Sequence, residues 1–589
     1  MRLRHAVVAF VALSVTIGAQ ETVESAIAAF APHDTDGDGI AEARALEVLF
    51  ARGAAGGKTV LVLVEARLIP VAGPARGQSK LLTALDQHAQ DLAAEGRRAI
   101  VVACDLHRGP PHQDGRTILA LRALLRRTQV VCNLEGALLV GRFPDALLVR
   151  TCNWLRNEKL SLPGKDGAEL AFEAKTTNVR SVPEIVAHRC DLVLADLDGK
   201  WEGLYAAGPL ALPSTVAVFG DTVPPRGGPA VAMRTGHVDV VDAFHVRDGL
   251  AATDATQFSV RLDAEDRDHE CGDSDRARQN AMAVPDIAIS RVDARGVAYV
   301  PVDGARDAAG RPIAFASPGV PLPWRHDLLF EIELLCAYFS RNHAFRTNSL
   351  AAPADRPAAF AHELGSGLDS LLAARAEWRD IDRGSADVSE QGDLVALLRW
   401  LQQPSALRAY RVHSDPWGGA CAKTDPERLQ EVLGASWHWK NDGASWRPTW
   451  TDHSSGRADF AFFRAAWQHG LGGEHPFLLV HAGCEALSPP ASTKHAFDDE
   501  RYGRFAHAES MLFFTACVAM VGRAKVFYDE PRGFAAALGE GASIGDAWRR
   551  YFEVESQARD WNEVGGDIGR KRAYFWSIVG DFTLRLPKR

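Results

Sequence analysis

Between Thr59 and Ala146, apolar runs of strand length alternate with stretches of helical periodicity, and this alternation limits the chain to few architectures. "TVLVLVEA" reads as a fully buried strand, because strands covered on both faces become near-continuous apolar runs. Leu81 to Glu95 carries apolar residues at helical spacing and stops at Gly96. "AIVVACDL" is a second strand, Leu119 to Leu125 a second helix, and "GALLVGRFPDA" a third strand. Strand, helix, strand, helix, strand is the pattern of a parallel sheet with helices on its faces. "GAAGGKT" has a superficial likeness to a phosphate loop. It lacks the first glycine at the required spacing and precedes a strand rather than following one, so it is not read as such.

The middle of the chain is less regular. "DLVLADLDGKWEGLY" is expected to hold a strand and an acidic turn, and Asp263 to Asp275 is charged and loop-like. "VPDIAISRVDA" reads as a further strand. The Pro- and Gly-rich run from Val302 to Trp324 marks a domain boundary. Beyond it, "DLLFEIELLCAYFSRNHAFRT" is helical, as are Leu394 to Leu401 and "PERLQEVLG", with "AYRVHSD" a strand between them. "RPTWTDHSSG" reads as a strand end, followed by a helix from about Asp459 to His469. The expected organisation is two adjacent α/β units with open, mostly parallel sheets. They span residues 58–325 and 326–589, after a short segment over 21–57.

Residues 1–20 read as a secretory signal peptide. Arg2 and Arg4 precede an apolar stretch from Ala6 to about Ala19, and small residues Gly18 and Ala19 stand before Gln20. That stretch is shorter than the roughly 20 residues a bilayer span needs, so an exported chain without a stable membrane span is expected. A net charge of -9 with no basic block gives no general attraction for nucleic acid. The nine cysteines are scattered without small-scaffold spacing, and their odd number leaves one unpaired if pairing is intramolecular.

One cysteine follows a buried run. In "PFLLVHAGCEALSPP", Phe477 to Val480 form a short strand, and Cys484 lies at its carboxyl end, where open α/β sheets build their sites. A thiol there is either a small buried hydrophobe or a nucleophile. His453, His469, His475 and His481 are near it in sequence. A parallel neighbour needs a crossover of a dozen or more residues, usually with a helix. Only His453 has a helix between itself and the strand, which singles it out as the partner of Cys484. The imidazole can take the thiol proton and return it to a leaving amine. The Cys484 N–H, with one from the turn Ser454-Ser455-Gly456, can hold a developing oxyanion, while Gly483 leaves room for a substrate chain. A metal site built from Cys484 and these histidines lacks Cys-x-x-Cys or His-Glu-x-x-His spacing.

Near the amino terminus, "HDTDGDGIAEARALEVLF" places Asp34, Asp36 and Asp38 on alternate residues before Gly39, the array of oxygen ligands in calcium loops. The twelfth loop position is Ala45 rather than a bidentate Glu, with Glu42 or Glu47 as substitutes. The other reading is a solvated acidic turn before a helix over Ala43 to Ala51. Asp196 and Asp198 in "DLDGKW" have the same two readings. Trp437, Trp439, Trp446 and Trp450 read as core or pocket-rim residues rather than a carbohydrate or nucleic-acid surface.

From about Lys58 to Leu586 the chain resembles the gingipain-type cysteine peptidases. "TDHSSG", the helix after it and "HPFLLVHAGCE" follow the family order of a His-bearing strand end, a crossover helix and a Cys-bearing strand end. "GALLVGRFP", "DLDGKW", "PDIAISRVDA", "YFSRNHAFRT", "GEGASIGDAWRRYF" and "SIVGDFTLRL" resemble family segments as well. Ser454 stands where the family has Gly, and Gly483 where it has Ala. The resemblance implies a caspase-like α/β fold, a Cys484–His453 dyad acting on peptide or protein substrates, and no cofactor for catalysis. Calcium would then be structural. From a different class, a non-catalytic caspase-fold module that binds peptides or partners outside the cell fits the same scaffold.

Overall fold

The run Thr59–Glu65 forms strand β2 and is buried at every position, as its unbroken apolar pattern requires. In the computed structural model the described residues are 21–70, 74–107, 115–152, 158–163, 169–174, 184–199, 201–204, 217–218, 283–302, 324–350, 358–360, 371, 375, 394–410, 414–416, 418–419, 460, 463–464, 466–483, 485–489, 503–524, 531–557 and 573–587. Strand β2 pairs in parallel with β3 (Arg98–Leu106) on one side and β4 (Leu134–Val140) on the other. Strand β5 (Ala288–Val292) extends the parallel set beside β4. Helix α1 (Val23–Ala28) is capped by Thr22, and α2 (Lys80–Ala94) by Ser79, whose hydroxyl accepts from the Leu82 amide. Leu81, Leu85, His88, Ala89 and Leu92 form the buried stripe of α2. Helix α3 (Gly115–Val131) leads into β4.

Two local expectations are overturned. The helix expected over Ala43 to Ala51 is instead strand β1 (Ala43–Arg52), antiparallel to β3 at the sheet edge, with register shifts at Ala43/Ala45 and Val48/Phe50. Ala, Leu, Glu and Arg favour a helix there, but the open edge of β3 offers a long ladder, and tertiary pairing outweighs propensity differences of tenths of a kcal/mol per residue, on the order of 0.5. The strand expected in "DLVLADLDGKW" is instead a single helical turn, Leu192–Ala195, buried at all its residues. Arg122 is the reason: its fully buried guanidinium donates to the carbonyls of Val193, Asp196, Leu197 and Gly199, which turns them away from any ladder.

The second half supplies β6 (Ala358–Phe360), β7 (Leu407–Tyr410), β8 (Phe477–His481), β9 (Cys517–Arg523) and β10 (Trp576–Gly580). Strands β6 to β9 pair in parallel, and β10 runs antiparallel to β9 over five residue pairs from Ala519–Gly580 to Arg523–Trp576. A single pair, Arg291 with Val579, joins β10 to β5. These ten strands thus form one sheet in the order β1-β3-β2-β4-β5-β10-β9-β8-β7-β6, and the remaining described strands pair in small sheets of two or three. The architecture is α/β, a large mostly parallel mixed sheet flanked by helices. Residues 303–323, most of the Pro- and Gly-rich run, lie outside the described residues, as do residues 1–20, Asp263 to Asp275 and "PERLQEVLG".

Helix α4 (Leu328–Thr347), capped by the Asp327 carboxylate and ended by Asn348 in the left-handed region, packs against α2 and ties the halves together. Arg67 after β2 meets Glu331 with two parallel bonds of 2.7 and 2.6 Å, and His343 faces Asp91 of α2 at 2.9 Å. Arg346 bridges Glu95, at the end of α2, and Asp581, just past β10. His88 is buried beneath this tie, and burial lowers its pKa to about 4. A neutral native imidazole must be protonated in the unfolded chain below about 6.5. Stability is therefore expected to fall as pH drops from about 6.5 to 4, by about 3 kcal/mol in all. Urea unfolding at pH 7 and pH 4.5 checks this: His88→Phe, which cannot charge, should lose less between the two pH values than the wild type.

No helix among the described residues is long and apolar enough to cross a membrane. Cys104, Cys132, Cys336 and Cys517 are free thiols. Burial raises the Cys517 pKa to about 12, so it behaves as a core hydrophobe rather than a nucleophile.

Candidate functional site

Strand β8 is buried along its whole length and releases the chain at Ala482 and Gly483, also buried. Glu485 follows with φ 53, a left-handed conformation uncommon for a non-glycine residue, and the Ser488 amide donates back to the Glu485 carbonyl at 2.9 Å. The chain therefore turns over Glu485–Ser488 and folds over the end of β9, where the Leu487 amide donates to the Arg523 carbonyl at 2.9 Å. Gly522 makes room for this return: a Cβ there would lie 2.5 Å from Leu487 Cδ1 and 2.8 Å from the His481 carbonyl. Cys484 itself, His453, Ser454, Gly456 and the four tryptophans from Trp437 to Trp450 lie outside the described residues.

The strand order differs from the crossover expectation. Both edges of β8 are taken, by β7 with Tyr410 opposite His481 and by β9 with Gly522 opposite His481. No strand leading to His453 adjoins β8 among the described residues; its parallel neighbours are β7 and β9. His469 and His475 precede β8; His469 is exposed and His475 half-buried, with its ring nitrogen 3.1 Å from the Leu350 carbonyl. They belong to the amino end of the strand, opposite Cys484.

His481 has a different task. Its Nδ1 accepts from the Gly483 amide at 3.0 Å, so the ring proton sits on Nε2, which faces His507 Nε2 at 3.1 Å with the rings nearly perpendicular. Burial pushes the His481 pKa well below the ordinary histidine range, and His507 and Arg523 push it further. A neutral His481 thus orders the backbone just before Cys484, and its grip on the Gly483 N–H commits that donor. His507 opens helix α5 (His507–Phe514), 26 residues from His481 in the chain, and no sequence pattern announces the pair.

The carboxyl ends of the two halves meet at this place. Arg189 binds Asp145, beyond β4, at 2.7 Å and the Leu487 carbonyl, beyond β8, at 3.2 Å. The Phe505 amide, ahead of α5, donates to the Gly296 carbonyl beyond β5 at 2.7 Å. Arg291 binds Asp191 and Asp145, and Arg142 binds Asp293. Glu509 is buried in the same network, and burial raises its pKa. A cavity of about 450 Å³ opens nearby at the ends of β2, β3 and β4, lined by Glu65, Arg67, Asp105, His107, Arg142 and Phe143 among others. Its cations are largely neutralised by their own partners: Arg67 by Glu65 and Glu331, Arg142 by Asp293.

Among the described residues two carboxylate clusters are assembled. Asp34, Asp36 and Asp38 are joined by Glu42, and Asp196 and Asp198 by Asp286; within each group the nearest side-chain oxygens all lie within 4.8 Å of one another. Asp286 comes from the approach to β5, so its membership was invisible in the sequence. Burial raises its pKa, and the charge of Asp198 adds to the effect. Asp196 is already engaged by Trp201 Nε1 at 2.8 Å and the Gly199 amide at 3.1 Å.

No family model matches the chain, and no curated protein matches it. A solved structure described as "Structure of Protease" aligns with a TM-score of 0.36 and 9% identity, over 90% of this chain and 78% of its own. Similarity at that level carries no argument about activity.

Proposed function

We propose that the chain is an exported cysteine endopeptidase of gingipain type with a caspase-like catalytic unit. Cys484 is the nucleophile and His453 the general acid/base. The observation that carries the reading is the turn at the carboxyl end of β8, where a buried strand, an amide held by a neutral histidine and a left-handed Glu485 frame position 484. Strained backbone of this kind concentrates at functional sites. The thiol proton passes to the imidazole as sulfur attacks the scissile carbonyl. The same proton then goes to the leaving amine, and water releases the acyl group from the thioester. With the Gly483 N–H engaged by His481, the oxyanion falls to the Cys484 N–H and a donor from Ser454 to Gly456. Export rests on the Arg2, Arg4 and apolar pattern of residues 1–20, and the amino-terminal sequence of the mature protein tests it.

The strand order gives the test a second histidine. His413 follows Tyr410 by the same number of residues as Cys484 follows His481, and Tyr410 and His481 are register partners. A peptidyl electrophile is expected to label wild-type protein at Cys484, and His453→Ala to slow labelling by about 100-fold or more. If His413→Ala slows it instead, the general base is His413. If a folded protein is never labelled and cleaves no member of a peptide library, the non-catalytic peptide-binding module replaces the peptidase reading.

A further inference from the structure

We propose that Asp34, Asp36, Asp38 and Glu42 bind one calcium ion, with Glu42 as its buried anchoring ligand. The ion would fasten the amino-terminal loop to the ends of β3 and α3. The observation that separates this cluster from an ordinary acidic turn is Glu42. Its side chain is completely buried, Oε2 accepts from the Thr35 amide at 2.7 Å, and Oε1 finds no hydrogen-bond partner among the described residues. A buried carboxylate oxygen left unpaired is costly, and native structures rarely keep one without an ion or water to satisfy it. Here that carboxylate shares a 4.8 Å neighbourhood with three aspartates.

The aspartates are held in position without their full coordinating capacity being used. Asp34 accepts from the Gly37 and Gly39 amides, both at 2.8 Å; Asp36 accepts from the Asp38 amide at 3.2 Å, and Asp38 from the Ile40 amide at 2.8 Å. Gly37 and Gly39 adopt positive φ, which lets the loop curl around its own carboxylates. Among the described residues one guanidinium opposes the four acids: Arg116 Nη1, 2.7 Å from Asp38 and 3.5 Å from Asp36. The donor set is all oxygen and mostly anionic, with no thiolate or imidazole, and it sits on a glycine-containing loop. That chemistry suits calcium, which takes six to eight oxygens in adaptable geometry, better than magnesium or zinc. In a calcium loop counted from Asp34, Glu42 stands at the ninth position, and the chain enters β1 before the twelfth. The buried Glu42 thus takes the place of the absent twelfth-position acid.

The placement also states what the ion would do. The loop is closed at its neck by the His33–Ala43 bridge; the Glu42 carbonyl accepts from the His107 amide at 2.7 Å, and the Thr35 hydroxyl donates to the Arg116 carbonyl at 3.2 Å. One ion would therefore fix β1 against the carboxyl end of β3 and the start of α3, beside the cavity that His107 lines.

The test uses the full chain stripped with a chelator and titrated calorimetrically with calcium chloride in 0.15 M salt. Wild type should bind with a dissociation constant below about 1 mM, and its melting temperature should rise by about 2 °C or more at saturation. Glu42→Gln should weaken this binding at least about 10-fold while leaving the metal-free melting temperature as high as wild type, since an amide replaces an unpaired buried carboxylate. If Glu42→Gln does not fold, Asp36→Asn, at an exposed position, carries the same comparison. A variant isotherm identical to wild type, no binding at about 10 mM calcium, or an equal response to magnesium would overturn the proposal.

Discussion

Cys484→Ala is expected to reduce peptide cleavage by roughly 10⁴-fold or more while leaving the fold intact, because covalent catalysis has no substitute for its nucleophile. Position 484 lies beyond the last paired residue of β8, between Gly483 and Glu485, so no ladder bond of β8 depends on it. Cys517 provides the internal control. It begins β9, is fully buried, and packs as a hydrophobe; Cys517→Ala should cost about 1 kcal/mol in stability and leave turnover per folded molecule unchanged. Turnover on a peptide library and denaturant midpoints for both variants decide the matter. Retained turnover in Cys484→Ala, with a stability loss like that of Cys517→Ala, would reduce Cys484 to a core residue.

The largest stability effect is expected at Asp581. It is fully buried past β10 and accepts from Asn342 Nδ2 at 2.9 Å, the Thr583 amide at 2.8 Å, the Thr583 hydroxyl at 2.6 Å and Arg346. Asp581→Ala leaves a buried guanidinium short of its counter-charge and strands several donors, a change that costs about 3–5 kcal/mol. Burial alone would raise the Asp581 pKa; Arg346 overrides it and holds the carboxyl below its ordinary range. A depressed carboxylate contributes stability that is complete above its unfolded value of about 3.9 and is lost as pH falls through the lower native value. The gap between wild type and Asp581→Asn should accordingly be constant from pH 7 to about 5 and shrink below about 4. Urea midpoints across that range measure it. A gap unchanged at pH 3 would mean that the carboxylate charge contributes nothing.

What could be read from the sequence was local. The unbroken apolar runs at Thr59–Glu65 and Phe477–His481 are buried strands because a residue covered on both faces has no use for polarity, and the stripe Leu81–Leu85–Leu92 is one face of a helix. What the sequence hid depends on partners distant in the chain. Ala43–Arg52 is a strand only because β3 has an open edge, and Leu192–Ala195 is a helical turn only because Arg122 gathers its neighbouring carbonyls. At the candidate site the alternation of Asp34, Asp36 and Asp38 was visible. The burial of Glu42 was not, nor was the pairing of His481 with His507, nor the place of β7 beside β8. Each of these is a relation across space that spacing along the chain does not encode.

The position of β10 constrains how the molecule is assembled. It follows the other strands of the sheet in sequence, yet sits between β5 and β9, paired along its length with one and touching the other at a single residue pair. Until residues 576–580 arrive, a chain emerging from the ribosome has two half-sheets, each with a row of unpaired amides and carbonyls along β5 or β9. Such edges recruit other strands, and β10 is what covers both of them. Insertion of β10 beside β5 couples segments hundreds of residues apart, and the loop-closure cost of such pairing disfavours its early formation. The Arg346–Asp581 contact forms with it, and the groups at the carboxyl edge come together only once the sheet has closed.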